Sequence, residues 1–326
     1  MNKKCFGCGA FLQSDKADEI GFVSEIENDL CNRCFRIKHY NEYQKVVKTN
    51  EEFTKNLHSI NETRDLVLLV VDLFNIPKEL DFICQKLQND VILVLTKRDI
   101  FAKDIYDKKF LDYFEGKFLD KIIISSEKNL NFDSLMSLIY KHKKGKNVYV
   151  VGFTNAGKST MINKMIYNYS NSDFQITTSP LTSTTIDSIE IKLNEELVFI
   201  DTPGILEQGD MVDILPSKII KKIVPNKTIR PKTFQFKKNE AVNVDDLIYI
   251  NVLNDNNLTF FMENSLNIKK DFKKNDKQFE YSHRLFVKSD EDIVIKGLGF
   301  IKSTKKGSVI VNTDYEVDIY TRKSLI

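Results

Sequence analysis

Leu66–Val71 is apolar at every position, the pattern of a parallel strand covered on both faces. An amphipathic repeat over Lys78–Gln88, with Leu80, Ile83, Cys84 and Leu87 on one face, predicts a helix packed against it. The alternation continues through strand Val91–Leu95, helix Ile105–Phe114, strand Lys121–Ile124, helix Phe132–Lys143 and strand Asn147–Val151. After one more helix, Ile186–Leu193 and Glu196–Ile200 read as adjacent strands able to pair as a hairpin. This rhythm predicts a doubly wound α/β sheet with its sites at the strand ends. Beyond Pro225 the helical period fades. Thr233–Phe236, Leu247–Leu253, Leu258–Met262, Tyr281–Val287, Ile293–Ile295, Ser308–Val311 and Val317–Tyr320 are short β-rich runs, punctuated by Gly297, Gly299 and Gly307. They predict a mainly β C-terminal domain whose strand pairing the pattern does not set.

Composition narrows the class. A chain of 326 residues, 42% hydrophobic, can bury a sizeable core in two or three domains. The apolar run Leu66–Phe74 is interrupted by Asp72, and no stretch reaches the length of a membrane span. Met1–Cys5 lacks the apolar segment of a secretory signal, so a cytoplasmic protein with no membrane partner is expected. The net charge of +2 hides an asymmetry: residues 211–326 hold 21 Lys+Arg against 15 Asp+Glu. Between Ile214 and Asn239, Lys218, Lys221, Lys222, Lys227, Arg230, Lys232, Lys237 and Lys238 meet no acid. Two readings stand at this level, a surface for a polyanion and a solvated face in a lysine-rich chain.

Four of the five cysteines fall in Cys5-x-x-Cys8 and Cys31-x-x-Cys34. Two-residue spacing lets both thiolates of a pair reach one tetrahedral ion, and two pairs complete a closed site. Structural zinc is the expectation. The alternatives are disulfides, which a reducing cytosol disfavours, and a redox pair, which needs no second copy. Cys84, alone on its apolar pattern, reads as core packing.

Gly152-Phe153-Thr154-Asn155-Ala156-Gly157-Lys158-Ser159 lies between a strand and a helix, the context that makes a phosphate-binding loop. Gly152 and Gly157 permit the tight wrap. N–H groups from Asn155 through Ala156, Gly157 and Ser159 to the first helical turn at Thr160 then point at phosphates, and Lys158 reaches the β and γ oxygens. The Ser159 hydroxyl is the expected Mg²⁺ ligand. Asp201 of Asp201-Thr202-Pro203-Gly204 is placed near the metal, and the Gly204 N–H is placed to sense a γ-phosphate. Thr177–Thr185 offers the second hydroxyl for Mg²⁺, Thr185 first and Thr184 next.

Thr96-Lys97-Arg98-Asp99 follows a strand end, where Asp99 can accept from the guanine N1–H and exocyclic amine and Lys97 can lie along the base. Thr96 stands where asparagine is usual and offers no amide, so a weaker tie to the base or the phosphate loop is expected. At Ser125-Ser126 a backbone N–H can meet the guanine carbonyl. Ile205 occupies the place where many GTPases carry a water-orienting glutamine, which predicts slow intrinsic hydrolysis. Asn155 either shapes the loop or holds K⁺ near the phosphates, where the cation would stimulate turnover. In the ordinary GTPase order the phosphate loop comes first; here the base motif precedes it. Read as a circle the order is correct, and read as a line it is rotated.

With Cys5-Phe6-Gly7-Cys8-Gly9, Cys31-Asn32-Arg33-Cys34, Gly152–Thr160, Asp201–Gly204, Lys296-Gly297-Leu298-Gly299 and Arg322-Lys323-Ser324-Leu325, the chain resembles the YqeH family of circularly permuted GTPases over nearly its whole length. The resemblance implies a zinc module (1–45), a permuted P-loop GTPase domain (46–210) and a basic, mainly β domain for RNA or a partner (211–326). It implies a role in assembly of the small (30S) ribosomal subunit, with GTP or GDP controlling association with rRNA. The family's Pro-Gly-Thr-Thr is Thr182-Ser183-Thr184-Thr185 here, which leaves the first switch less defined. The competing class is a regulatory GTPase whose β domain binds a protein, with zinc only structural. An RNA-modifying enzyme lacks support, because His39, His58, His142 and His283 are scattered and the thiols are committed. Fewer than 25 residues separate Gly204 from the basic stretch expected to bind RNA, which makes the rotated order a candidate linkage between nucleotide and partner.

Overall fold

In the computed structural model the described residues are 3, 12–15, 22–24, 31–32, 47–48, 57–170, 188–205, 208–271 and 277–326. Cys5, Cys8 and Cys34 of the expected zinc site, and Thr184 and Thr185 of the expected switch, lie outside them. The chain divides into two compact units, one of Met1–Arg98 with Glu115–Leu206 and one of Asp99–Phe114 with Glu207–Ile326. The segment Asp99–Phe114, placed in the GTPase domain by the sequence reading, therefore clusters with the C-terminal part.

The first unit is built on a six-stranded sheet. Its strands are β2 (Leu66–Asp72), β3 (Val91–Thr96), β4 (Asp120–Ile123), β5 (Asn147–Gly152), β6 (Ile189–Asn194) and β7 (Leu197–Asp201), in the order β4-β3-β2-β5-β7-β6. All pairs are parallel except β6–β7, the expected hairpin. Every residue of β2 and β3 is buried, as the unbroken apolar runs require. Helices Leu80–Lys86, Phe132–His142 and Lys158–Tyr169 supply Ile83, Leu135, Ile139, Ile162 and Ile166 to the interior. The first of these is shorter than the predicted Lys78–Gln88, because Leu87 is already extended at its carboxyl end. From β2 the chain moves outward to β3 and β4, then returns to β5 on the other side of β2 and continues to β7. The connections thus part between β2 and β5, and the crevice at the carboxyl ends of these two strands is the topological switch point where open α/β sheets bind ligands. A short strand β1 (Val47–Lys48) runs parallel to β8 (Gly204–Ile205).

Among its described residues the C-terminal unit holds ten antiparallel strands in two five-stranded sheets. They are β9 (Lys232–Phe236), β10 (Glu240–Val244), β11 (Ile248–Val252), β12 (Asn256–Met262), β13 (Ile268–Asp271), β14 (Tyr281–Val287), β15 (Glu291–Ile295), β16 (Gly299–Ser303), β17 (Gly307–Thr313) and β18 (Ile319–Lys323). One sheet has the order β13-β10-β11-β17-β14 and the other β18-β15-β16-β12-β9. Inward residues of both, among them Val242, Ile250 and Val311 from one and Phe260, Ile293 and Ile301 from the other, form one core. Helices Met211–Ile214 and Ser217–Ile223 add Met211 and Ile223 to it. A side chain of this size contributes about 1.5–3 kcal/mol when fully buried. Strands β10, β13 and β16 are absent from the sequence reading. Among the described residues, no helix is long and apolar enough to cross a membrane.

Candidate nucleotide site

Strand β5 ends at Gly152, and the helix starting at Lys158 begins six residues later. A Cβ on Gly152 would collide with the carbonyl oxygen of Val70 on β2, so only glycine lets the loop leave the sheet at this point. Asn155 and Gly157 both adopt positive φ, 58° and 90°. Asparagine tolerates that region and glycine favours it, which is how the loop turns its N–H groups inward. Ala156 is buried, Asn155 and Thr160 are exposed, and Ser159 is half-buried in the first helical turn. Lys158 is only 6% exposed, and its Nζ donates to the Gly152 carbonyl at 2.9 Å, folding the ammonium back over the loop.

The segment after β7 closes on the same loop. Asp201 is the buried last residue of β7 and pairs with Val150. The Thr202 hydroxyl donates to Val150 O at 2.9 Å. Ile205 O accepts from Thr154 N at 2.8 Å, and Ile205 bridges to Phe153. The side chain of Ile205 is buried, consistent with its having no part in positioning water. A Cβ on Gly204 would stand 3.1 Å from Lys158 Nζ and 3.3 Å from Thr154 Cγ2. A side chain at this position would crowd both neighbours. The main chain expected to sense a γ-phosphate thus lies beside the lysine expected to bind it.

At the end of β3 the structure shows how Thr96 meets the phosphate loop. Thr96 was expected to weaken a tie to the phosphate loop or the base for want of an amide. Its Oγ1 donates to Ala156 O at 2.7 Å, with Val71 O farther away at 3.3 Å. A threonine hydroxyl is therefore a working tie to the phosphate loop, because β2 and β3 bring it within direct reach. Lys97 has φ 61° and places its Nζ 2.6 Å from Asp72 Oδ2, while Asp72 Oδ1 accepts from Phe74 N at 2.8 Å. Asp72, paired in register with Thr96, was missed in the sequence as a site residue. The signal was present: a carboxylate ending an otherwise wholly apolar strand. Asp99 lies half-buried in the 3-10 turn Arg98–Ile100.

Ser125 is buried just beyond β4. Its N–H faces Leu130 O at 3.4 Å and its Oγ accepts from Lys128 N at 3.0 Å. Both groups serve the turn, which leaves Ser126 as the half-buried partner of the pair.

The cysteines divide. Cys31 is buried, and its three expected co-ligands are outside the described residues. Among the described residues no cluster of three or more His, Cys, Asp or Glu side chains is placed to hold a metal. Cys84 is half-buried, not closed in the core as expected. It lines a cavity of about 800 Å³ with Asp81, Asn89, Val91 and Phe118, at the amino end of β3 and away from the glycine loop. Burial, helped by the charge of Asp81, pushes its thiol up to about 11, so it stays protonated and inert.

Comparison with known proteins agrees with this geometry. The RsgA GTPase family model matches residues 72–210, a continuous match that takes in the base motif, the phosphate loop and Gly204 in this chain's rotated order. The 50S ribosome-binding GTPase model matches 147–280, beginning at β5 where an unrotated order would begin. The chain is 31% identical to YqeH of Bacillus subtilis, with 99% of each chain covered. It is 25% identical to NO-associated protein 1, chloroplastic/mitochondrial, of Arabidopsis thaliana, over 71% of this chain and 48% of that one. It is 28% identical to GTPase Der of Finegoldia magna, over 48% of this chain and 39% of the relative.

Proposed function

The chain belongs to the YqeH family of circularly permuted GTPases, and on that premise we propose that it is a GTP-hydrolysing switch in assembly of the small ribosomal subunit, binding rRNA according to its nucleotide. The observation that carries the switch is the approach of Gly204 to Lys158 Nζ, which makes a γ-phosphate the natural occupant of the space between them. Gly152, Asn155, Ala156, Gly157, Lys158, Ser159 and Thr160 cradle the phosphates. Asp99 reads the guanine edge, Lys97 flanks the base, Thr96 fixes the loop beneath it, and the guanine carbonyl falls to the N–H of Ser126 beside Ser125. Ser159, Thr185 and Asp201 would hold Mg²⁺, which would supply charge neutralisation to the phosphates. Asn155 would hold K⁺, which would add positive charge there. Cys5, Cys8, Cys31 and Cys34 would hold a structural zinc. A cytoplasmic location accompanies this reading, as a role in ribosome assembly requires.

The ribosomal reading is supported by the family resemblance, by the ribosome-binding GTPase model matched over 147–280, and by the acid-free basic stretch at 214–239. Phosphate contacts from such a stretch provide affinity that falls with salt. Sedimentation of tagged protein with ribosomal particles, in GTP analogue and in GDP, tests it. Nucleotide-dependent migration with 30S particles is expected. Migration with 50S particles would move the assignment to the large subunit, and no migration with either would favour a protein partner.

A further inference from the structure

The loop carrying Asp99 is held from far downstream. Thr228 Oγ1 donates to Asp99 O at 2.9 Å, and the next residue's N–H, that of Ile229, donates to Ile100 O at 2.8 Å. Consecutive donors thus engage consecutive carbonyls. Ile229 and Ile100 are 3% and 2% exposed, so this contact excludes water, while Thr228 stays at the surface. The strap is itself fixed on its other side. Asn264, in the turn between β12 and β13, accepts from Arg230 N at 2.8 Å and donates through Nδ2 to Thr228 O at 3.0 Å. Lys232 Nζ continues the attachment at Leu266 O, 2.8 Å away.

We propose that Thr228 and Asn264 are positioning residues for base specificity, acting through the main chain of Asp99. The inference rests on the reading of Asp99 as the guanine acceptor. A carboxylate that accepts from both N1–H and the 2-amine needs both angles held at once, and hydrogen bonds weaken steeply with misalignment. The Asp99 carboxylate is two bonds from its main chain, so any slack in that main chain reaches it undiminished. β3 fixes the approach to the motif, and Arg98 N–H reaches Ile124 O at 3.2 Å. Past Arg98, the carbonyls of Asp99 and Ile100 are set by residues 228 and 229. The requirement is for a hydroxyl at 228, not for bulk.

The test is competitive displacement of a fluorescent nucleotide from the full-length protein by GDP and by inosine diphosphate, which lacks the 2-amine. In Thr228→Val, which keeps the side chain's shape, the preference for GDP over inosine diphosphate is expected to fall about fivefold. Thr228→Ser should restore it, and Asn264→Ala should lower it in the same direction. Equal weakening of both nucleotides, or no change in either, would reduce the strap to a structural tie and overturn the proposal. Asp99→Asn run alongside separates the two levels, with a shift from GDP towards xanthosine diphosphate expected. If that variant switches while Thr228→Val keeps its preference, only the strap fails. If Asp99→Asn does not switch, the base assignment is wrong and the strap falls with it.

Discussion

At the scale of single residues, the base motif is tied to the phosphate loop by a hydroxyl. The Thr96 hydroxyl does for the phosphate loop what an amide was expected to do, at 2.7 Å from Ala156 O. Thr96→Val keeps the volume and removes the donor, leaving a buried carbonyl without it at a cost of about 1–2 kcal/mol. GDP should bind roughly tenfold more weakly by calorimetry, since 1.4 kcal/mol is tenfold, and Thr96→Ser should bind as the parent does. Undiminished affinity in Thr96→Val would show the tie to be incidental. Asn155, exposed at φ 58°, bears on hydrolysis. GTP turnover is expected to be severalfold faster in K⁺ than in Na⁺ at equal ionic strength, and Asn155→Ala should lose the difference. Equal rates in the two salts would return Asn155 to a loop-shaping role. The glycine turns of the loop after β5 were legible in the sequence because spacing alone specifies them. Asp72 was not, because its partner Lys97 is 25 residues away and only the parallel register of β2 with β3 brings them together.

Among the elements, legibility followed burial. β2 and β3 were read nearly to the residue because strands covered on both faces are apolar throughout. The missed strands had other reasons to hide. β13, Ile268–Asp271, is an edge strand with one apolar residue in four. β16 opens on Gly299, a residue that reads as punctuation, although its Phe300 and Ile301 are wholly buried. β10 carries only Ala241, Val242 and Val244 between polar neighbours. The Lys296–Gly299 motif also gains a physical meaning. Gly297 has φ 81°, and a Cβ there would collide with Asp210 Oδ1 and come within 2.8 Å of Met211 N. Asp210 is the N-cap of the helix Met211–Ile214, accepting from Val212 N at 2.8 Å. Met211 N–H donates to Lys296 O, and the buried Lys296 Nζ donates to Gln208 O at 3.0 Å. The motif is therefore a socket for residues 208–212. Gly297→Ala should destabilise the C-terminal unit by about 2 kcal/mol, from left-handed strain and the displaced cap. The check is a lower urea midpoint at unchanged slope, and an unshifted midpoint would mean that the socket carries no stability.

For the whole molecule, the rotated order fixes where nucleotide and C-terminal unit are joined by the chain itself. The unit boundaries fall at 98/99, 114/115 and 206/207. The first cuts the base motif between Arg98 and Asp99, and the last comes one residue after Gly204–Ile205, where Ile205 bridges to Phe153 of the phosphate loop. The chain thus passes from the base motif, and again from just after Gly204–Ile205, directly into the β-rich unit. If that unit binds rRNA through its basic stretch and the chain connection carries the nucleotide state to it, nucleotide and RNA are thermodynamically coupled, and the coupling must be reciprocal. RNA affinity is expected to differ between the GDP and GTP-analogue forms by about 5- to 150-fold, the usual range for such coupling. The ratio of GDP to GTP-analogue affinity must then shift by the same factor when RNA saturates the protein. Four dissociation constants close this cycle, and salt must be held constant because phosphate contacts make every RNA value depend on it. Equal RNA affinity in the two nucleotide states would break the cycle at its first measurement, leaving the rotated order without a role in signalling.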